Sequence, residues 1–326
     1  MDKRIFDLHC DTLDRLCATD GTWQFTADAA DVPASHMLDL AENDAHVSLE
    51  RMAGAQWCQC FAIFMPDEFR GEEACRFFDR VYAYFERQMD KHDDLVCQVR
   101  DVAGIDSVLA SGRSAALLTV EGGSVLAGDL DRVELLADRG VRVLTLTWNG
   151  RNELASGHET HLGLSALGRK AVPALEEAGI VIDVSHINDE GFWEVDKLAA
   201  RPYVATHSNL RAVCDHKRNL TDDQFRALAS RGGIVGINFS SHFLAEGLDD
   251  PKPDYLLRHV DRALSLGGED VLALGSDYDG TEIPSWLWPC DRVLGLYDLL
   301  AHEFGGDIAD KICFSNARDF LERYDA

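Results

Sequence analysis

The chain lacks an apolar run of about 18 residues, the length a membrane-spanning helix needs, so no transmembrane segment and no membrane partner are expected. Its N-terminus, Met1-Asp2-Lys3-Arg4, lacks the charged-then-apolar layout of a secretory leader and runs straight into a candidate core strand. A cytoplasmic protein is therefore expected. Basic residues are scarce. Lys and Arg number 31 against 57 Asp and Glu, for a formal net charge of -26. Such a surface repels phosphate backbones, which argues against nucleic acid as a partner. Cysteine pairs at zinc-ribbon spacing are missing too. The nine cysteines are scattered, and Cys58-Gln59-Cys60 is C-x-C inside an apolar run, not the C-x-x-C of a ribbon. Reduced thiols buried as small core residues are expected.

What the chain does have is 326 residues with 46% hydrophobic content, ample for a large core. No repeat, low-complexity tract or composition shift divides it, so one domain over 1–326 is expected. Short β-branched runs alternate with longer amphipathic stretches. The expected strands are Ile5-Leu8, Gln56-Phe64, Ala115-Val120, Val141-Thr147, Ile180-Val184, Tyr203-Thr206, Ile234-Asn238 and Val271-Leu274. Helices are expected at Glu72-Lys91, Asp131-Arg139, Ser165-Glu177, Asp189-Ala200, Thr221-Ser230 and Asp254-Leu266. Gly140, Gly179 and Gly267 follow helical runs as stops, and Thr221 with Gln224 forms a capping-box pattern. Strands alternating with helices indicate parallel βαβ units. Eight of them suit an α/β (β/α)₈ TIM barrel, with the length beyond ~250 residues filled by insertions such as a rim element at about 20–54. The alternative is a doubly wound open sheet, which should carry a Gly-rich phosphate loop after an early strand; none is visible.

In a barrel the chemistry sits at the carboxyl ends of strands. In FDLHCDTL the first strand ends in His9 and Asp11, and residues at i and i+2 face the same way. AALLTVEGG ends in Glu121, IVIDVSH in His186, PYVATHSN in His207, and VLALGSDYDG in Asp277 and Asp279. Imidazoles with carboxylates suit a borderline divalent ion such as Zn²⁺. The set exceeds what one four-coordinate zinc takes, so two ions roughly 3.5–4 Å apart, with Glu121 as the natural bridge and a shared water, fit the count better. Taken singly, each residue has a plainer reading. A lone strand-end His is more often a polar loop contact, and Glu121 or Asp279 alone could cap a helix or turn the chain. His36, His46, His92, His216, His242, His259 and His302 read as surface or structural. His158 and His161, in a Gly-containing loop, read as solvated more readily than as lining the mouth.

The ordered series HCDTL, LTVEGG, LTLTWNGRN, VIDVSH, ATHSN and LGSDYDG, continuing to FSNARDFL, resembles the membrane dipeptidase (renal dipeptidase) family, the M19 metallopeptidases of the amidohydrolase superfamily, in a soluble bacterial-type form. The resemblance spans nearly the whole chain. It implies a (β/α)₈ barrel with two Zn²⁺ ions: His9 and Asp11 on one, His186 and His207 on the other, Glu121 and a hydroxide bridging. It implies Asp277 as the base that passes a proton to the leaving amine and also receives the substrate's amino group. Arg218, in CDHKRNL, would grip the substrate's terminal carboxylate in a bidentate fork that a Lys does not copy; Lys217 and Arg211 nearby read as surface charges. The substrate implied is a dipeptide with free termini, some family members taking a D-residue at the second position, and the family precedent is a homodimer. Animal members carry a His after the fourth-strand LT pair, where this chain has Trp148. Trp148, Asn149, Asn152 or a loop His such as His158 would then stand in as oxyanion donor, or the zinc ion alone would suffice. The alternatives are another binuclear hydrolase of the superfamily, an N-acyl amino acid deacylase or a lactonase, and a non-catalytic binding protein on the same scaffold.

Overall fold

The computed structural model describes residues 3–17 and 38–326. Positions 20–37 of the expected rim insertion, His36 among them, lie outside the described residues. Strands run at β1 Arg4–Asp7, β2 Gln56–Phe64, β3 Val96–Val99, β4 Ser114–Glu121, β5 Val141–Thr145, β6 Val181–Asp183, β7 Val235–Ile237 and β8 Leu272–Leu274. They pair in the order β6-β5-β4-β2-β1-β8-β7, with β3 on β4, and all the strand pairs are parallel. Parallel sheets are covered on both faces, and every residue of β4 is buried. On β1 and β2, alternate residues serve different packing layers. Ile5, Trp57 and Phe61 join the main core. Phe6, Leu8, Cys58 and Cys60 pack instead with Ile105 of helix Val102–Ala110 and with Phe314 and Phe320 near the C-terminus.

Two elements differ from the sequence expectation. Val96–Val99 is a strand that its short, Gln- and Cys-containing pattern did not announce; it pairs with the first half of β4, while β5 takes the second half beyond a bulge at Leu118/Thr119. The expected strand Tyr203–Thr206 is reduced to isolated bridges, Asp183↔Val204 and Ala205↔Val235. Its Thr206 amide donates to the Asp183 carboxylate, so a side chain takes the hydrogen that a ladder would need. The helices at Gly71–Lys91, Arg132–Asp138, Gly168–Glu177, Asp189–Leu198, Asp222–Ser230 and Pro253–Ser265 match the amphipathic stretches, and the capping box of Thr221 and Gln224 is formed. Gly140, Gly179 and Gly267 end helical runs at φ 84°, 73° and 86°, a region glycine enters without strain. Among the described residues no helix is long and apolar enough to cross a membrane.

Below the carboxyl ends, a buried carboxylate stitches strands together. Asp7 of β1 accepts from Gln59 Nε2 of β2 at 2.8 Å and from Ser276 N and Oγ, past β8, at 2.8 and 2.6 Å. This fixes the floor from which His9 and Asp277 rise.

Candidate metal centre and active site

Parallel pairing gathers the carboxyl ends of β1, β4, β6 and β8 on one edge of the sheet. Pairing continues past β1: Asp11 N donates to Tyr278 O at 2.9 Å, and Ala62 N to Cys10 O at 2.9 Å. Cys10 turns into the core, leaving His9 and Asp11 together. Glu121 is the last residue of β4. His186 and His207 follow β6 and the 203–206 segment, and Asp277 follows β8. His186 and Asp277 hold left-handed backbone, at φ 68° and 62°. Such conformations are uncommon in non-glycine residues and concentrate at functional sites.

The sequence-expected groups converge. Glu121 divides its oxygens between two sets of partners. Oε2 lies 3.3 Å from His9 Nε2, while Oε1 lies 2.7 Å from His186 Nε2 and 3.6 Å from His207 Nε2. His9 Nε2 is also 3.4 Å from Asp11 Oδ2 and 4.0 Å from Asp277 Oδ1. The His9 and His207 rings stack at 3.9 Å. Asn238 Nδ2 donates to Asp277 Oδ2 at 2.8 Å, which leaves Oδ1 on the His9 side.

These residues fit a divalent cation. Among the described residues His9 Nε2 and Asp11 Oδ1 are buried with no hydrogen-bond partner, and buried polar atoms are rarely left so without reason. Ligand atoms of His9, Glu121 and His207, and of His9, Asp11 and Asp277, lie within 4.8 Å of one another. His186 Nδ1 donates to Asn149 Oδ1 at 2.8 Å, so its Nε2 lone pair faces Glu121 Oε1 and, at 3.0 Å, His207 Nε2. Lone pairs converging at that range repel unless a positive charge sits among them.

The electrostatics divide these groups. Burial works against a charged His9, yet the carboxylates of Asp11 and Glu121 outweigh it and hold the imidazole well above its usual pKa. Burial pushes Asp11 up to about 7, with repulsion from Glu121 adding and His9 opposing. Burial pushes Asp277 up to about 6, again with Glu121 adding. Burial would raise Glu121 too, but His186 and His9 hold it well below the usual carboxylate range. Burial, then Arg218, pushes His186 down to about 4; burial, then His9, holds His207 well below its usual value. Neutral imidazoles and ionised carboxylates are the forms that ligate metals; His186, His207 and Glu121 are held in them, whereas His9 must give up its proton, and Asp11 part of its own, before they can ligate.

Above these groups opens a cavity of about 320 Å³. Trp148 and Phe64 form one wall, edge to face at 4.9 Å, and Asn149 lines it as well as holding His186. Arg218 is 4% exposed. Its Nη2 donates to His207 O at 3.2 Å, its Nε and Nη1 have no partner among the described residues, and it lies over the Phe243 ring. Lys217 and Arg211 line a second cleft, together with His158 and Asp189; Arg211 forms a bidentate pair with Asp189 at 2.9 Å.

Several sequence readings are corrected by the packing. His158 is no solvated loop residue: its ring lines the cavity and its Nδ1 is buried without a partner among the described residues. Burial, with Arg218 second, pushes its pKa down to about 3. His216 and His242 line the same cavity; the only sequence hint was the position of His216 two residues before Arg218. Asn152 is spent on the fold, its amide bonded to Leu146 O, Leu154 N and Ala155 N, so it leaves the oxyanion candidates. Asp279 is an anchor: it accepts from Thr12 Oγ1 and from the backbone amide of His46. His161 is exposed, as expected.

The family model for membrane dipeptidase (peptidase family M19) matches residues 2–301. A metallo peptidase from Rhodobacter sphaeroides, solved with a phosphinate mimic of the dipeptide L-Ala-D-Ala, is 27% identical; the superposition covers 99% of this chain and 100% of that one, with a TM-score of 0.88. A second solved structure, a dipeptidase of family M19, is 28% identical over 99% of each chain, with a TM-score of 0.87. An uncharacterized protein in the pqqA 5′ region of Klebsiella pneumoniae is 38% identical over 214 residues, 62% of this chain and 79% of that protein.

Proposed function

The chain belongs to the membrane dipeptidase family, peptidase family M19, and is a metallo-dipeptidase; from that premise we propose a zinc-dependent enzyme that hydrolyses dipeptides with both termini free. The observation that carries this reading is the division of Glu121, one oxygen toward His9 and the other toward His186 and His207. In it, His9 and Asp11 would hold one Zn²⁺ and His186 and His207 the second, with Glu121 available to both. The scaffold proposed is a closed (β/α)₈ barrel in one domain, 1–326, with the rim insertion at about 20–54. The bridges at Val204 and Ala205, which link β6 to β7, support closure.

Bound there, paired zinc ions supply Lewis acidity, lowering the pKa of water and polarising a peptide carbonyl. The chain's own groups do the rest. Asp277 Oδ1, oriented by Asn238, takes the proton of the attacking water and returns it to the leaving amine. The same carboxylate receives the substrate's ammonium group. Arg218 pairs the terminal carboxylate, supported by its two unpartnered buried nitrogens, since a buried unpaired guanidinium is costly until a ligand answers it. His158, held neutral by burial, offers the carbonyl oxygen an N–H donor from the cavity wall, while Trp148 and Asn149 shape the side-chain space. The L-Ala-D-Ala mimic carried by the Rhodobacter enzyme favours a D-residue at the C-terminal position here. A cytoplasmic homodimer completes the proposal.

The test is a dipeptide library varying chirality at each position, run on zinc-loaded and chelator-treated protein, beside N-acylated amino acids and lactones. Turnover confined to free dipeptides and lost with the metal is expected. Faster turnover of N-acyl substrates or lactones would replace this reading with a deacylase or lactonase. In parallel, Asp277→Asn should keep zinc yet lose turnover; full activity in that variant removes Asp277 as base.

A further inference from the structure

We propose that Asp183 is a positioning residue that acts through the Thr206 hydroxyl to hold His207 in one tautomer, with Nδ1 protonated and the Nε2 lone pair aimed at Glu121. The inference rests on the reading of His207 as a metal ligand. Asp183 ends β6, is fully buried, and among the described residues its hydrogen-bond partners are all donors. Thr145 Oγ1 and Thr206 Oγ1 donate to its Oδ2 at 2.6 and 2.5 Å, and Ser185 N and Thr206 N donate to its Oδ1, each at 2.9 Å. An ionised carboxylate accepts only, and here both oxygens are satisfied twice.

The consequence falls on the next residue. A hydroxyl has one hydrogen. Thr206 spends it on Asp183, so what it turns toward His207 Nδ1, 2.8 Å away, is a lone pair. His207 Nδ1 must then carry the proton. Its Nε2 is left bare, 3.6 Å from Glu121 Oε1 and 3.0 Å from His186 Nε2. The Ser185 hydroxyl accepts the His207 backbone amide at 3.1 Å and fixes the other side of the residue. Left to itself, a histidine beside a carboxylate would protonate the nitrogen facing it. The network opposes that choice and keeps the lone pair where only a cation is welcome. Asn149 does the same for His186 through a single bond; on the His207 side the proton's place is dictated two hydrogen bonds away, by a group that touches neither metal nor substrate.

Asp183 also ties β5, β6 and the 203–206 segment, so its own removal confounds fold with tautomer. Thr206→Val removes the relay but keeps the Thr145, Ser185 and Thr206 amide bonds to Asp183, and Thr206→Ser restores the relay. Long-range ¹⁵N–¹H correlation spectra of histidine-labelled, chelator-treated full-length protein read the tautomer directly. His207 should be Nδ1–H in the wild type and in Thr206→Ser, and mixed or Nε2–H in Thr206→Val. Zinc affinity by chelator competition should fall about 10–100-fold in Thr206→Val and stay within about threefold in Thr206→Ser. An Nε2–H His207 in the wild type overturns the proposal outright, whatever the variants do. So does Thr206→Val with unaltered tautomer and zinc affinity. A wild type that binds zinc but cleaves no dipeptide sinks the peptidase reading and leaves this one standing.

Discussion

Adding one methyl group at Gly280 should dismantle the site while sparing the fold. A Cβ built there falls 2.0 Å from Asp11 Oδ2 and 2.5 Å from Asp277 Oδ1. Restoring ordinary contact moves the Asp11 oxygen by more than about 1 Å, and a misplacement of that size costs on the order of 10²-fold in rate. Neither carboxylate has an easy retreat. The Asp11 amide is pinned to Tyr278 O, and Asp277 Oδ2 is held by Asn238. Both side chains are nonetheless short terminal groups that turn at modest cost to the fold. Gly280→Ala should therefore lower kcat/KM by about 100-fold or more and weaken zinc retention against a chelator, with little change in thermal midpoint. Gly295→Ala is the matched control. It lies inside helix Val293–Phe304 with nothing among the described residues within 4 Å of the added atom, and should stabilise by about 0.5–1 kcal/mol with activity unchanged. Gly280→Ala with kcat/KM within about threefold of wild type would refute the reasoning, because these two carboxylates could then not be held in their working positions by close packing.

Other outcomes follow from individual contacts. Arg218→Lys keeps charge but loses the fork, so KM for free dipeptides should rise about 10–100-fold, the worth of a charge-assisted hydrogen bond; unchanged KM in steady-state assays removes Arg218 from carboxylate binding. His158→Phe keeps the ring and loses the donor, and kcat should drop on the order of 10²-fold with KM nearly constant; an unaltered kcat returns His158 to a wall residue. His259 gives a pH prediction independent of the metal centre. Its Nδ1 accepts from Leu210 N and its Nε2–H donates to Leu244 O, and burial pushes its pKa down to about 4, with the Leu244 bond opposing. A histidine depressed in the folded state adds stability that is full above its unfolded pKa of about 6.5 and is lost as pH falls toward 4. The loss between pH 7 and pH 5 is about 2 kcal/mol. His259→Gln keeps both hydrogen bonds without a titrating ring, so its denaturation midpoint should vary less with pH; identical pH profiles for variant and wild type overturn the assignment.

The sequence by itself determined the parallel α/β alternation, because strand and helix periods are local properties of short windows. It determined the set His9, Asp11, Glu121, His186, His207 and Asp277 as well, since each closes an apolar run and strands of one direction deliver their ends to one edge. Tertiary structure alone decided three things. It turned the 203–206 segment from a ladder strand into bridges, because the Asp183 carboxylate takes the Thr206 amide. It brought His158 from an ordinary-looking loop to the cavity wall and withdrew Asn152 into loop bonding. It set which Glu121 oxygen faces which imidazole, and where the protons of His186 and His207 reside. Those outcomes depend on distances of about 3 Å between residues far apart in the chain, and no local pattern encodes such distances.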